Sequence, residues 1–141
     1  MARNLVETVD CVVVGAGVVG LAVARVLALR GREVLVCERE GSIGQGNTSR
    51  NSEVVHAGLY YPPGSLKARL CVQGREALYR YCQERGVAYR KCGKLVVASS
   101  SLQLPALREV HERALSCGVG DVRIIGREEA RDMEPQVVCT E

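Results

Sequence analysis

Three glycines and one acidic residue near the start of the chain have a spacing that suggests a shared role. Gly15, Gly17 and Gly20 form a G-x-G-x-x-G run, and seventeen residues separate Gly20 from Glu38. In such a run the first glycine allows a tight turn, the second lets a pyrophosphate approach the backbone, and the third lets a helix pack closely against a strand. The carboxylate can accept hydrogen bonds from both hydroxyls of an adenosine ribose. The four residues therefore indicate a dinucleotide site, and Glu38 disfavours a 2′-phosphate there.

A strand–helix–strand unit must hold these residues, and the sequence predicts one. The valines at 12–14 predict a short buried strand, residues 18–30 predict a helix, and residues 32–38 predict a second strand. The end of the second strand would then bring Glu38 beside the glycine loop. Phosphate charge would lie at the helix start, where N–H groups are free and the helix dipole is positive. This context distinguishes the run from a simple tight turn, but it does not separate NAD from FAD.

Composition is that of an ordinary globular domain. The chain has 141 residues, of which 47% are apolar and 25% charged, with no Phe and no Trp, so aliphatic side chains must fill the core. A net charge of +3 with scattered basic residues does not indicate a nucleic-acid partner. The apolar stretch 11–29 contains three glycines at nucleotide-loop spacing, which favours a buried βα unit over a membrane span. The first eight residues are too short and too acidic for a transit peptide.

Seven cysteines are present, an odd number with no C-x-x-C pair. Neither a disulfide framework nor a metal site is indicated, and we expect a reducing compartment. Cys11 and Cys37 fall in the predicted strands, where we expect them to be buried as small apolar residues.

The remainder of the chain predicts further helices and short strands. Ser65 is the expected N-cap of a helix over 66–85, which Gly86 would end. Two short strands are predicted at 87–92 and 94–98, followed by a helix over 105–117, a strand at 122–125 and a helix over 127–133. The predicted fold class is α/β: a Rossmann-like dinucleotide-binding domain with a parallel sheet over residues 1–86. Residues 87–141 would begin a mixed α+β substrate domain and its return segments.

Two blocks downstream of the glycine loop resemble a known family. Residues 49–68 (SRNSEVVHAGLYYPPGSLKA) and 92–98 (CGKLVVA) are similar to the L-2-hydroxyglutarate dehydrogenases, flavoproteins of the D-amino-acid-oxidase-like superfamily. The resemblance extends from the glycine loop to residues 133–135. Members of the family are considerably longer, so the chain corresponds to their N-terminal part and would lack most of the substrate domain.

The resemblance implies FAD as the cofactor and oxidation of L-2-hydroxyglutarate to 2-oxoglutarate as the reaction. Hydride would pass from substrate C2 to flavin N5 while a base takes the hydroxyl proton. Electrons would pass on to a membrane quinone or an electron-transfer protein, which leaves peripheral membrane association open. Family members are mitochondrial in eukaryotes and lie in the cytoplasm or at the inner-membrane face in bacteria.

The resemblance also assigns candidate site residues. Residues of the glycine loop and the acid after the second strand would bind FAD, and a polar stretch would pass beside the pyrophosphate and flavin: Gly15, Ala16, Gly17, Val18, Gly20, Glu38, Arg39, Thr48, Ser49, Arg50 and Asn51. Hydroxyl and amide groups there can hydrogen-bond phosphate oxygens, and Arg50 can neutralise charge. The alternatives are an ordinary capped turn for 48–51 and a solvated surface side chain for Arg39.

His56 is the catalytic candidate. It lies in a His-Ala-Gly sequence within the 49–68 block, and related amine-oxidising flavoenzymes carry such a sequence at a comparable place. His56 could accept the hydroxyl proton, since imidazole titrates near neutrality, or it could tether or orient the flavin. A hydrogen-bonded structural histidine is the alternative. Tyr60 and Tyr61 could form a wall of the flavin pocket or could pack beneath the turn.

Two other functions stay open at this level. A sibling flavoenzyme could act on a secondary amine, an amino acid or glycerol 3-phosphate, because the glycine loop is shared among them. The chain could also be a truncated, non-catalytic FAD-binding fragment.

Overall fold

A computed structural model describes residues 8–140 of the chain. The described chain divides into two compact units, the first ending at Val54 and the second beginning at Val55. The predicted domain boundary between Gly86 and Val87 stays a prediction. The prediction that no transit peptide precedes the glycine loop concerns residues 1–8, of which only Thr8 lies within the described range.

The first unit contains the predicted strand–helix–strand arrangement. Strand β1 is Cys11–Val14, helix α1 is Val18–Leu29 and strand β2 is Val34–Cys37. The strands pair in parallel, with Cys11 opposite Val34 and Val14 opposite Cys37. Helix α1 contacts both strands. The α/β class with a parallel sheet is therefore confirmed, with element bounds within two residues of those predicted.

Two glycines make the turn from β1 into α1 possible. Gly15 has φ +99°, a left-handed conformation that side chains rarely adopt. A Cβ on Gly20 would lie 2.0 Å from the Gly15 carbonyl oxygen and 3.4 Å from Val13 Cγ1. The third glycine thus permits close packing of helix start against turn and strand, as the sequence predicts.

The prediction that these strands are buried is wrong. Val12 is 55% exposed and Val14 is 87% exposed, while Cys37 is exposed and Cys11 only partly buried. Burial alternates along both strands, so the exposed side chains share one face of the sheet, which no other described element of this unit covers. Among residues 8–140, no helix is long and apolar enough to cross a membrane.

The described part of the second unit contains three α-helices and a short 3₁₀ helix at Ser101–Gln103. Helix α2 is Leu66–Arg85, α3 is Leu104–Ser116 and α4 is Arg127–Met133. Ser65 Oγ accepts the Ala68 N–H at 3.2 Å, and Gly86 ends α2 with φ +66°, so both predicted caps are confirmed. The buried residues among those described in this unit are small: Gly58, Ala68, Cys82, Ala98, Ala114, Val119, Ala130 and Cys139.

The predicted strands at 87–92, 94–98 and 122–125 are not formed in the described chain. A strand needs a hydrogen-bonded partner, and β1–β2 is the sheet found in residues 8–140. The Ala98 carbonyl accepts the Thr140 N–H at 3.0 Å and the Thr140 hydroxyl at 3.1 Å. Side chains of 94–97 and 122–125 instead line a cavity of about 120 Å³. These apolar segments therefore contribute side-chain contacts without forming the backbone hydrogen bonds of a sheet.

The close approach at Gly20 predicts a sharp contrast between two glycine-to-alanine variants. Gly20→Ala should destabilise the protein by about 1–3 kcal/mol because the new methyl group meets backbone. Gly74→Ala, on helix α2, should stabilise the protein by about 0.5–1 kcal/mol, since a Cβ there would have open space around it to 4 Å. Urea unfolding of both variants measures the difference. Equal effects of the two substitutions would contradict the packing described.

Candidate dinucleotide site

The carboxylate of Glu38 connects the end of β2 to the glycine loop. Its Oε2 accepts the Ala16 N–H at 2.7 Å, and its Oε1 accepts the N–H groups of Arg39 at 2.8 Å and Glu40 at 3.0 Å. The Gly15 N–H donates to the Cys37 carbonyl at 2.7 Å, which extends the contact between the two strand ends. The acid thus lies beside the loop, at the position that a ribose-binding carboxylate requires.

These hydrogen bonds hold the pKa of Glu38 below its ordinary value of 4.5. The Glu40 N–H lowers the pKa most, followed by the Ala16 N–H, while partial desolvation opposes the shift. An ionised carboxylate has about four lone-pair sites, and three are occupied by backbone donors. Each carboxylate oxygen already accepts at least one backbone N–H, so any ribose hydroxyl bound by Glu38 would share its oxygen with a backbone donor.

The start of α1 is a suitable position for an anion. N–H groups in a first helical turn have no partner within the helix, and this turn contains no acidic residue. The Val18 N–H donates to Thr48 Oγ1 at 3.0 Å. A Cβ on Gly17 would lie 3.2 Å from the same hydroxyl oxygen, so the glycine permits the close approach of Thr48 to the start of the helix. These features fit the diphosphate of a dinucleotide.

The loop that follows β2 folds back over the glycine run. The Gly44 N–H donates to the Ala16 carbonyl at 3.0 Å, and a short 3₁₀ turn at Asn47–Ser49 then places Thr48 at the start of α1. Thr48 is thirty residues from Val18 in sequence. No local sequence signal could have predicted this contact, although Thr48 itself is among the predicted site residues.

Ser49 and Asn51 stabilise the turn in which they lie. Ser49 Oγ donates to the Gly46 carbonyl at 2.9 Å, and Asn51 Nδ2 donates to the Thr48 carbonyl at 2.7 Å. Asn51 Oδ1 also accepts the Glu53 N–H at 2.7 Å. The capped-turn alternative therefore describes what these two side chains do in this structure. Their contact with a pyrophosphate stays a prediction.

The two arginines near the site differ in their contacts. The Arg39 side chain is 91% exposed and pairs with Glu40 at 3.0 Å. Arg50 is exposed, and its guanidinium forms no ion pair with any residue in the range 8–140. Arg50 is thus available to an anionic ligand, whereas Arg39 already has a surface partner.

The His-Ala-Gly sequence lies in the second unit, packed on α2. Gly58 has φ +96°, and a Cβ there would lie 3.0 Å from Val72 Cγ2 and 3.3 Å from the Ala68 carbonyl oxygen. His56 is exposed, and its Nδ1 lies 2.9 Å from the hydroxyl of Tyr61. The sequence reasoning did not predict this pair. No cluster of three or more potential metal ligands occurs within the described part of the chain.

The lowered pKa of Glu38 predicts an acid-dependent loss of stability. Because folding lowers the pKa of Glu38, the ionised carboxylate stabilises the fold at pH values above its ordinary pKa. This contribution is lost as the pH falls through the pKa of the folded state. The stability advantage of wild type over Glu38→Gln should therefore shrink as the pH falls below the ordinary pKa of a glutamate. Urea unfolding across this range measures it. An advantage that is constant or grows on acidification would contradict the geometry.

Comparison with known proteins places this site in a family. A family model described as FAD dependent oxidoreductase matches residues 10–140. The chain is 54% identical over 133 residues to the mitochondrial L-2-hydroxyglutarate dehydrogenase of Arabidopsis thaliana, covering 94% of this chain and 28% of that protein. Identity to the mitochondrial L-2-hydroxyglutarate dehydrogenase of Homo sapiens is 46% over 128 residues, covering 89% and 28%.

A solved structure is also similar. The crystal structure of L-proline dehydrogenase from P.horikoshii superposes with a TM-score of 0.74 at 28% identity, over 93% of this chain and 34% of that one. The chain thus spans about 28% of the length of the curated relatives named above. The predicted resemblance and the predicted cofactor are confirmed, and the chain belongs to the family of FAD dependent oxidoreductases.

Proposed function

We propose that the whole protein uses FAD to oxidise L-2-hydroxyglutarate to 2-oxoglutarate. The observation that carries this proposal is the 54% identity to a relative named for that activity, over 94% of this chain. The match covers 94% of this chain and so extends well beyond the glycine loop that many dinucleotide-binding proteins share. Similarity over that length favours a shared substrate class.

The first unit would hold the adenosine half of FAD. Glu38 would accept the ribose hydroxyls, and the backbone from Gly15 to Gly20 would receive the diphosphate at the start of α1. Thr48 and the neighbouring Arg50 would supply a hydroxyl and a positive charge beside the phosphates. Arg39 would lie along the adenosine. The lowered pKa of Glu38 supports this role, because an ionised acid is the stronger acceptor.

FAD, when bound, supplies the hydride acceptor at flavin N5. We assign His56 to the flavin site because it lies in the His-Ala-Gly sequence of the family block. An imidazole side chain can accept a proton or donate a hydrogen bond. Which of the two it does depends on the ring nitrogen that carries the hydrogen.

The electron acceptor is proposed to be a membrane quinone or an electron-transfer protein. The compartment is proposed to be the mitochondrion if the source is eukaryotic, and otherwise the cytoplasm or the inner-membrane face. The word mitochondrial in the names of the relatives supports the first of these.

Purified whole protein tests the proposed reaction directly. It should be yellow, with flavin absorbance, and should reduce an artificial dye with L-2-hydroxyglutarate as the donor. D-2-hydroxyglutarate, L-proline and glycerol 3-phosphate complete the substrate panel, since the similar solved structure is an L-proline dehydrogenase. A colourless protein would contradict the cofactor assignment. Preference for L-proline or glycerol 3-phosphate would contradict the substrate.

Substitution of the ribose-binding acid should weaken FAD binding selectively. Glu38→Ala should raise the Kd for FAD by about tenfold or more, since it removes a charged acceptor of hydrogen bonds. Glu40→Ala is the matched control, because Glu40 is adjacent and its carboxylate pairs with exposed Arg39. Quenching of flavin fluorescence on titration measures both. Equal Kd values for the two variants would contradict the role of Glu38.

A further inference from the structure

The contact between His56 and Tyr61 has a preferred direction. Nδ1 and the phenol oxygen are 2.9 Å apart, so one of the two groups donates to the other. A phenol is a better donor than acceptor because its oxygen lone pair is delocalised into the ring, whereas an unprotonated imidazole nitrogen is a good acceptor. These properties favour donation from the Tyr61 O–H to His56 Nδ1.

A nearby cation favours the same direction. Lys67 Nζ lies 4.4 Å from the centroid of the Tyr61 ring. Positive charge over the ring stabilises negative charge on the phenol and so strengthens its O–H as a donor. Tyr60, the adjacent tyrosine, has Lys94 at 4.8 Å from its ring but makes no hydrogen bond to a histidine among the described residues.

The backbone around Tyr61 is held by contacts with neighbouring elements. Its carbonyl oxygen accepts the Cys117 Sγ–H at 3.4 Å, next to the end of α3. Pro62 and Pro63 follow directly, and the Ser65 N–H donates to the Pro62 carbonyl at 3.1 Å as α2 begins. At the other end of this segment Gly58 packs against α2. Both residues of the pair thus lie on a segment fixed to the same helix.

We propose that Tyr61 is a positioning residue that keeps neutral His56 in the form with hydrogen on Nε2. This inference rests on the proposed function, in which His56 belongs to the flavin site. With Nδ1 occupied as an acceptor, Nε2–H is the group that His56 presents, and it donates a hydrogen bond to an oxygen of the substrate or of the flavin. In this form Nε2 already carries a hydrogen and therefore does not accept the hydroxyl proton of the substrate.

The tautomer can be observed without turnover. In whole protein labelled with ¹⁵N-histidine, at about pH 8.5 where a free imidazole is neutral, the His56 signals are those absent from the His56→Gln variant. Nδ1 should resonate as an unprotonated, hydrogen-bonded nitrogen and Nε2 as a protonated one. Tyr61→Phe should move the Nδ1 signal toward that of an unprotonated nitrogen that accepts no hydrogen bond. Tyr60→Phe should leave the Nδ1 signal unchanged. Hydrogen on Nδ1, or an unchanged Nδ1 signal in Tyr61→Phe, would overturn the inference.

The kinetics of the whole protein show whether His56 acts as a hydrogen-bond donor or as a base. Gln can replace the Nε2–H donor but cannot act as a base, so His56→Gln should retain at least about tenfold more kcat than His56→Ala. Tyr61→Phe should lower kcat about 5- to 10-fold, as expected for one lost hydrogen bond, whereas Tyr89→Phe should not, because the Tyr89 ring packs against Tyr79 instead. Equal losses in His56→Gln and His56→Ala would overturn the donor role.

The same variants show whether the oxygen that accepts the hydrogen bond from Nε2 belongs to the substrate or to the flavin. A rise in KM for the 2-hydroxy acid in His56→Ala would assign the oxygen to the substrate, and a shifted flavin absorbance spectrum without substrate would assign it to the flavin. Either result supports donation from Nε2. If His56→Ala shows neither change, donation from Nε2 is contradicted. Failure of wild type to oxidise L-2-hydroxyglutarate would reject the proposed function alone, since the tautomer is measured independently.

Discussion

The site depends on one interaction, in which the Glu38 carboxylate accepts backbone N–H groups from both its own strand end and the glycine loop. The Ala16 N–H bond at 2.7 Å connects the two strand ends across twenty-two residues of sequence. The same bonds keep the carboxylate ionised and orient it. In the proposed site, the positive amides at the start of α1 would face the diphosphate and the negative carboxylate would face the ribose. This separation of charge is what a ligand carrying a diphosphate and a neighbouring sugar requires.

The sequence could predict most features that depend on local chemistry. Glycine is required at position 15 by its positive φ, and at position 20 because a Cβ there would lie 2.0 Å from the Gly15 carbonyl oxygen. The motif implies both requirements. Ser65 and Gly86 limit α2 as predicted, because a hydroxyl acceptor and a left-handed residue act within one turn of the helix. The parallel pairing of β1 and β2 also follows from local information, since a strand, a crossover helix and a second strand have one common arrangement.

Features that depend on distant partners could not be predicted in this way. The segments 87–92, 94–98 and 122–125 have strand-forming sequences, but strands require a partner that the described chain does not provide. Val14 is apolar and nevertheless 87% exposed, because burial depends on what covers a residue and not on its type. The contacts of Thr48 with Val18 and of His56 with Tyr61 arise from loop conformation, for which these residue types give no periodic signal.

The most direct test of this account is a crystal structure of the whole protein with FAD. The account predicts that a ribose hydroxyl of the adenosine lies within about 3 Å of a Glu38 carboxylate oxygen, and that the diphosphate lies against the amides of residues 15–20. A ribose bound by other side chains, or a Glu38 carboxylate directed away from the adenosine, would contradict it.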